Sequence, residues 1–152
     1  MKRDFTLDEN VWVCACTGEN EHGQIDNSSF RLLELIALNE HKLVFSQELW
    51  RKCLSKLSSQ RHQNAPLSAR TFGLLNQISR NPGTFSLTPF PDDPPYNEEL
   101  VPLDDRYVVR LAVTTQSILV TTDDRLLPVL KRVVAFLMAL RPEQAIPFAQ
   151  ET

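Results

Sequence analysis

Short apolar runs alternate along this chain with longer stretches whose apolar positions recur every three or four residues. The first pattern is that of buried strands, and the second that of helices packed by one face. Residues 3–10, RDFTLDEN, read as a short strand ending near Asp8, and ENVWVCAC continues as a helix or turn with Trp12 as a core anchor. In DNSSFRLLELIALNEHK, Phe30, Leu33, Ile36 and Ala37 share one helical face, and Asp26, Asn27 or Ser28 can cap the helix. KLVFS is a second strand. Ser46 then caps a helix, QELWRKCLSKLSSQ, with Leu49, Cys53, Leu54 and Leu57 on its buried side. A further helix from about Leu67 to Arg80 stops at RNPG, where Pro82 and Gly83 break it.

In the second half, TFSLTPF suits a third strand, and the proline-rich PDDPPYNEELVPLDD suits a surface loop because it can form neither a ladder nor a helix interior. DDRYVVRLAVTTQ predicts a helix with carboxylates at its amino end and Val108, Leu111 and Ala112 buried. SILVTT is a fourth strand. DRLLPVLKR reads as a helix kinked or restarted at Pro128. VVAFLMAL is apolar all round, which leaves a fifth strand and a buried helix equally open, and RPEQAIPFAQET reads as a short helix. Strands alternating with helices predict an α/β fold, a three-layer sandwich with a central, mostly parallel sheet, formed by one domain over residues 1–152.

Composition narrows the function classes. A chain of 152 residues buries roughly 70% of its unfolded surface without staples. No apolar run approaches the roughly 20 residues of a membrane span, and the opening MKRDFTLDEN lacks a secretory core, so a cytoplasmic location is expected. Cys14, Cys16 and Cys53 are odd in number and contain no CxxC pair, which favours structural thiols. His22, His41 and His62 share no metal-ligand spacing with them and are read as surface or cap residues. No glycine-rich phosphate loop is present. The net charge of −3 is unevenly spread. Residues 41–80 hold Lys42, Arg51, Lys52, Lys56, Arg61, Arg70 and Arg80 against the single acid Glu48, a distribution that suits a polyanion or else a solvated helix face.

Ligands of an open parallel sheet collect outside the carboxyl ends of its strands. Asp8 ends one predicted strand, Asp123 ends another, and Asp105 opens the helix between. Three carboxylates converging there repel one another unless a counter-charge is supplied. An all-oxygen donor set suits Mg²⁺ or Mn²⁺, and phosphodiester hydrolysis is the chemistry such an ion serves. Each carboxylate also has a local alternative: Asp105 as a helix amino-end residue, Asp8 in an Asx-turn, Asp123 or Asp124 as a helix cap.

Two stretches carry a family likeness. LDENVWVCA resembles the opening motif of the PIN-domain (PilT N-terminus) nucleases, an aspartate after an apolar strand with an asparagine two positions on, here Asp8 and Asn10. DRYVVRLAVTTQSILVTTDD resembles the closing motif, with Asp105, Ala112 and the Thr-x-Asp of Thr121 and Asp123. The resemblance implies a metal-dependent ribonuclease, often the toxin of a toxin-antitoxin pair and often a homodimer. Its partners would be RNA and an antitoxin protein, with no membrane. Asp8, Asp105 and Asp123 would hold Mg²⁺ or Mn²⁺ directly or through water, with Thr121 and Asn10 in hydrogen-bonded support. Asp104 and Asp124 are rivals one residue away.

The chain departs from the family at one place. The glutamate expected six positions after Ser46 is Lys52 here, and Glu48 lies one turn back on the same helix face. Glu48 is therefore either the replacement acid, completing a catalytic set of Asp8, Glu48, Asp105 and Asp123, or a first-turn residue favoured by the helix dipole. In the second case a degenerate module that binds RNA or protein without cutting competes with the nuclease. A receiver-like phosphoacceptor also clusters aspartates at strand ends, but it needs a paired acidic motif after the first strand and a lysine after the last, and neither is evident.

Overall fold

A computed structural model describes residues 1–59, 65–89 and 91–152. The expected helix end at Gln60 and the residues Arg61, His62 and Phe90 lie outside them. Five strands, β1 (Asp4–Leu7), β2 (Lys42–Ser46), β3 (Phe85–Thr88), β4 (Ile118–Val120) and β5 (Ala139–Leu140), form one sheet in the order β3-β2-β1-β4-β5, every pair parallel. That order separates it from the 2-1-3-4-5 order of receiver-like sheets. Among the described residues seven α-helices go with them, α7 after the last strand: α1 (Glu9–Thr17), α2 (Ser28–Leu38), α3 (Gln47–Ser59), α4 (Ala65–Ser79), α5 (Arg106–Thr115), α6 (Leu126–Val133) and α7 (Pro142–Ala149). From β1 the chain steps outward through β2 to β3, then returns to the other side of β1 through β4 to β5. Right-handed crossovers therefore put α1 to α4 on one face and α5 and α6 on the other. The packing agrees, with α1 against α2, α3 and α4, and α5 against β1 and β2.

The sheet reverses direction between β1 and β4, whose register pairs Phe5 with Ile118 and Leu7 with Val120. Both strands are central, so their apolar residues are buried on both faces, as an unbroken run such as ILV requires. Trp12 is fully buried and lies 6.0 Å from the Phe45 ring, while Trp50 and Phe85 both pack on Phe45. This aromatic block fastens α1 and α3 to β2 and so fixes the carboxyl end of the sheet.

Three expectations change and one is narrowed. Leu54 is 37% exposed, and half-buried Trp50 takes its packing role on α3. α6 begins at Leu126, two residues before Pro128, so the proline sits in the first turn, whose N–H groups have no intrahelical partner to lose. VVAFLMAL gives a fifth strand, one of the two open readings, but a short one: Ala139–Leu140 pairs, with Phe136 66% exposed. As an edge strand it has one neighbour to hold it. His41 is wholly buried rather than at the surface. Its Nδ1 accepts from the Arg3 N–H at 2.9 Å and its Nε2 meets the Ala149 carbonyl at 3.0 Å, tying β1 to α7. The three cysteines are free and buried, as expected.

Candidate active site

The end of β1 delivers Asp8 to the point where the sheet changes direction. Its N–H donates to the Val120 carbonyl at 2.9 Å, which extends the β1–β4 ladder by one step and fixes the backbone. Asp8 then caps α1, with Oδ1 accepting from the Glu9 N–H at 2.8 Å, while Oδ2 accepts from Thr121 Oγ1 at 2.9 Å. The carboxylate is buried, and desolvation raises its pKa from 3.8 to about 6, with repulsion from Asp105 and Glu9 adding and the Thr121 hydrogen bond opposing.

Asp105 reaches the same place from the other face of the sheet. A 3₁₀ turn, Leu103–Asp105, leads into α5, and the half-buried Asp105 makes no capping hydrogen bond. Burial pushes its pKa up first, and Asp123, Asp104 and Glu9 push it further, while Lys52 pulls it down. Asp123 is half-buried beyond β4. Its N–H donates to Thr121 Oγ1 at 3.1 Å, and its Oδ1 accepts from the N–H groups of Arg125 at 2.8 Å and Leu126 at 3.3 Å, the start of α6. The local alternatives thus hold for one oxygen each of Asp8 and Asp123, and Asp105 does stand at the amino end of α5, with its carboxylate making no capping hydrogen bond. Thr121 is the hinge of the arrangement, donating to one aspartate and accepting from the next.

The remaining expected residues lie nearby in different roles. Asp104 is exposed at the same turn and adds its charge to Asp105. Asp124 is exposed and bound by Arg141. Asn10 is exposed, and among the described residues its side chain has no hydrogen bond. Glu48 sits 4.0 Å from Lys52 in a groove of about 970 Å³ between α3, α5 and the proline-rich loop. Among the described residues of the basic run 41–80, only Arg51 and Lys52 line this groove, joined by Arg106 and Arg110 from α5. Arg70 points elsewhere, to Glu34 at 3.4 Å and over the Phe30 ring.

Three members of the neighbourhood were not anticipated from sequence. Glu9 acts electrostatically on both Asp8 and Asp105. Cys53 is fully buried on α3, and its thiol is pushed up by burial first and by Asp8 and Glu9 next. Tyr107 carries a buried hydroxyl that, among the described residues, has no hydrogen-bond partner, and it is pushed up by burial first and by the charges of Asp8, Glu9, Cys53 and Glu48 next. Glu9 was legible as a second acid beside Asp8. Cys53 and Tyr107 were not, because their closeness comes from α3 meeting α5.

A cation's fit is judged by the donors. Asp8, Asp105 and Asp123 present oxygen atoms alone; burial first and neighbouring acids next raise Asp8 and Asp105, and a divalent ion relieves the repulsive part. Among the described residues, the three ligating side chains with all ligand atoms within 4.8 Å are instead Glu21, His22 and Asp124, exposed at the surface. There Arg141 already supplies the positive charge, 3.0 Å from Glu21 and bound to Asp124. The aspartate set is wider, which suits an ion that keeps several of its waters.

No protein-family model matches the chain, and none of the curated proteins does. Solved structures do. A PilT N-terminus domain protein from the hyperthermophilic archaeon Sulfolobus solfataricus P2 is similar over 98% of this chain and 95% of its own, with a TM-score of 0.51 and 13% identity. At that identity the likeness is one of fold: an α/β architecture with a central parallel sheet, that of a PIN domain. Among the described residues no helix is long and apolar enough to cross a membrane.

Proposed function

We propose that this chain is a metal-dependent endoribonuclease of the PIN type. What supports the reading is that β1, β4 and α5 bring Asp8, Asp123 and Asp105 to the switch point of the strand order, where Asp8 is coupled to Asp105 and Asp105 to Asp123, and where burial first and these neighbours next hold Asp8 and Asp105 above the ordinary carboxylate range. Spending stability on crowded acids is what a charged ligand repays. Asp8, Asp105 and Asp123 would hold Mg²⁺ or Mn²⁺, and the bound ion supplies a nucleophile at neutral pH and offsets charge on the phosphate. The chain's own contribution is placement. Thr121 orients Asp8 and the backbone of Asp123, the start of α6 fixes one oxygen of Asp123, and the cations of the adjoining groove attract a polyanion toward the acids.

The test is single-stranded RNA incubated with the purified chain in Mn²⁺ or EDTA, beside Asp8→Asn and Asp105→Asn. Mn²⁺-dependent cleavage lost in both variants supports the enzyme. A second reading, a module that binds RNA or protein without cutting, is favoured by Lys52, whose charge bears directly on Asp105. Intact RNA bound as well by the variants as by the parent chain supports that module. A toxin role, with an antitoxin and a homodimer, goes with the first reading. It predicts growth arrest on expression, relieved by Asp8→Asn.

A further inference from the structure

The groove beside the carboxylates is walled by side chains that the acid centre does not use. Two of its four cations are already engaged: Arg110 pairs with Glu98, and Arg106 Nε donates to the Val101 carbonyl at 2.9 Å. Lys52 is held in another way. Its ammonium lies 4.0 Å from the centroid of the Tyr107 ring and 4.0 Å from Glu48 Oε2. It also lies close enough to Asp105 to favour that carboxylate's charged form. Lys52 therefore stands on the boundary between the cationic groove and the acids.

The two partners differ in what they do. The Lys52 and Glu48 side chains are 36% and 42% exposed, and an exposed pair at the limit of contact contributes little, so a phosphate competes well for the ammonium. The Tyr107 ring face attracts the cation and limits where it can go. The Tyr107 hydroxyl, buried and among the described residues without a hydrogen-bond partner, feels the charge of Asp8 and Glu9. One side chain thus borders both compartments, its ring carrying the groove's cation and its buried hydroxyl feeling the charge of Asp8 and Glu9.

We propose that Lys52, steadied on Tyr107, receives the backbone phosphate next to the carboxylates and so sets the register of a single-stranded polynucleotide across the centre. The class of ligand rests on the nuclease reading above. The strandedness rests on the groove itself, where Leu54, Leu103, Pro89 and Pro91 line the same walls as the cations and Leu103 is 74% exposed. Apolar walls of this kind meet the faces of unpaired bases, which a duplex keeps stacked inside. A lysine suits the task as a compact charge whose donors rotate to follow a phosphate. In this scheme Lys52 binds the ligand and Tyr107 is a positioning residue.

The experiment is binding of a fluorescein-labelled oligouridylate to the full chain in EDTA, read by anisotropy over about 50–200 mM salt. Lys52→Met is expected to weaken binding about ten-fold. It should also flatten the salt slope by about 0.7, the loss of one phosphate contact on a single strand. Lys52→Arg should retain the affinity, and Lys56→Met, on the same helix outside the groove, should leave it unchanged. Tyr107→Leu should shrink the effect of Lys52→Met, with Tyr107→Phe restoring it, because a ring without its hydroxyl still holds the ammonium. A parent chain that does not bind, or a Lys52→Met variant with parental affinity and slope, overturns the proposal. An unlabelled duplex competing as well as the single strand overturns the strandedness. Because the assay contains no free metal, loss of binding in Lys52→Met with no Mn²⁺-dependent cleavage by the parent retires the nuclease reading and leaves the phosphate contact standing.

Discussion

Thr121 Oγ1 donates to Asp8 Oδ2 at 2.9 Å, a buried hydrogen bond between residues 113 positions apart. It joins the ends of the two central strands and is the contact through which β4 controls the ionisation of an acid on β1. Replacing Thr121 with Val removes it, and with it the acceptor for the Asp123 N–H. The variant should lose about 2 kcal/mol in urea unfolding, the cost of buried polar groups left unpaired. The loss should be larger above pH 6 than below it, where a protonated Asp8 needs the hydroxyl less. A loss that does not vary with pH would count against the assignment.

Asp8 itself opposes folding when ionised. Its folded pKa of about 6 lies above the unfolded value of 3.8. Its favourable contribution is therefore complete below pH 3.8 and is lost as pH rises through about 6. Asp8→Asn keeps a cap for Glu9 and carries no charge. Without metal at about pH 8 it should exceed the parent chain in stability by about 3 kcal/mol, the two converging near the unfolded pKa. Chemical denaturation in EDTA at both ends of that window measures the difference.

A divalent ion should reverse that penalty. Saturating Mn²⁺, at about 100 times its dissociation constant, adds about 2.7 kcal/mol to the folded state. The gain should shrink as pH falls through about 6, because protons compete for Asp8 and Asp105. Asp105→Asn should abolish it. An unchanged melting temperature in Mn²⁺ would exclude binding at this centre.

His41 couples the fold to acid in the opposite sense. Burial lowers its folded pKa below the ordinary 6.5, and its neutral ring accepts from Arg3 while meeting the Ala149 carbonyl. Its stabilisation is present above pH 6.5 and is lost as pH falls through the folded value. Amides of α7 should exchange faster with solvent below that point. His41→Phe should cost about 2 kcal/mol at about pH 8 and remove this acid sensitivity.

The strand ends were readable because they depend on local chemistry. Short apolar runs stop at Asp8 and at Thr-x-Asp, and each of those aspartates is also bound to the backbone that follows it. What surrounds a given side chain is a different matter. Nothing in the chain near His41 announces that Arg3 and Ala149 will enclose it. VVAFLMAL left strand and helix open because apolar composition reports affinity for a core; the strand it gives is short because it falls at the sheet edge, where one neighbour pairs with two of its residues. The basic run 41–80 divided in the same way, Arg51 and Lys52 turning to the groove and Arg70 to Glu34.

Sequence alone determined the alternation of strands and helices, the α/β class, and the aspartates at the strand ends, because period, propensity and capping act over a few residues. Tertiary structure alone decided that Lys52 rests on Tyr107 at the edge of the acids, that Cys53 feels the charge of Asp8, and that Glu48 belongs to the groove. Those relationships arise where α3 and α5, arriving from opposite faces of the sheet, meet beyond its carboxyl end. The angle of that meeting is set by the packing of the whole core and by no segment within it.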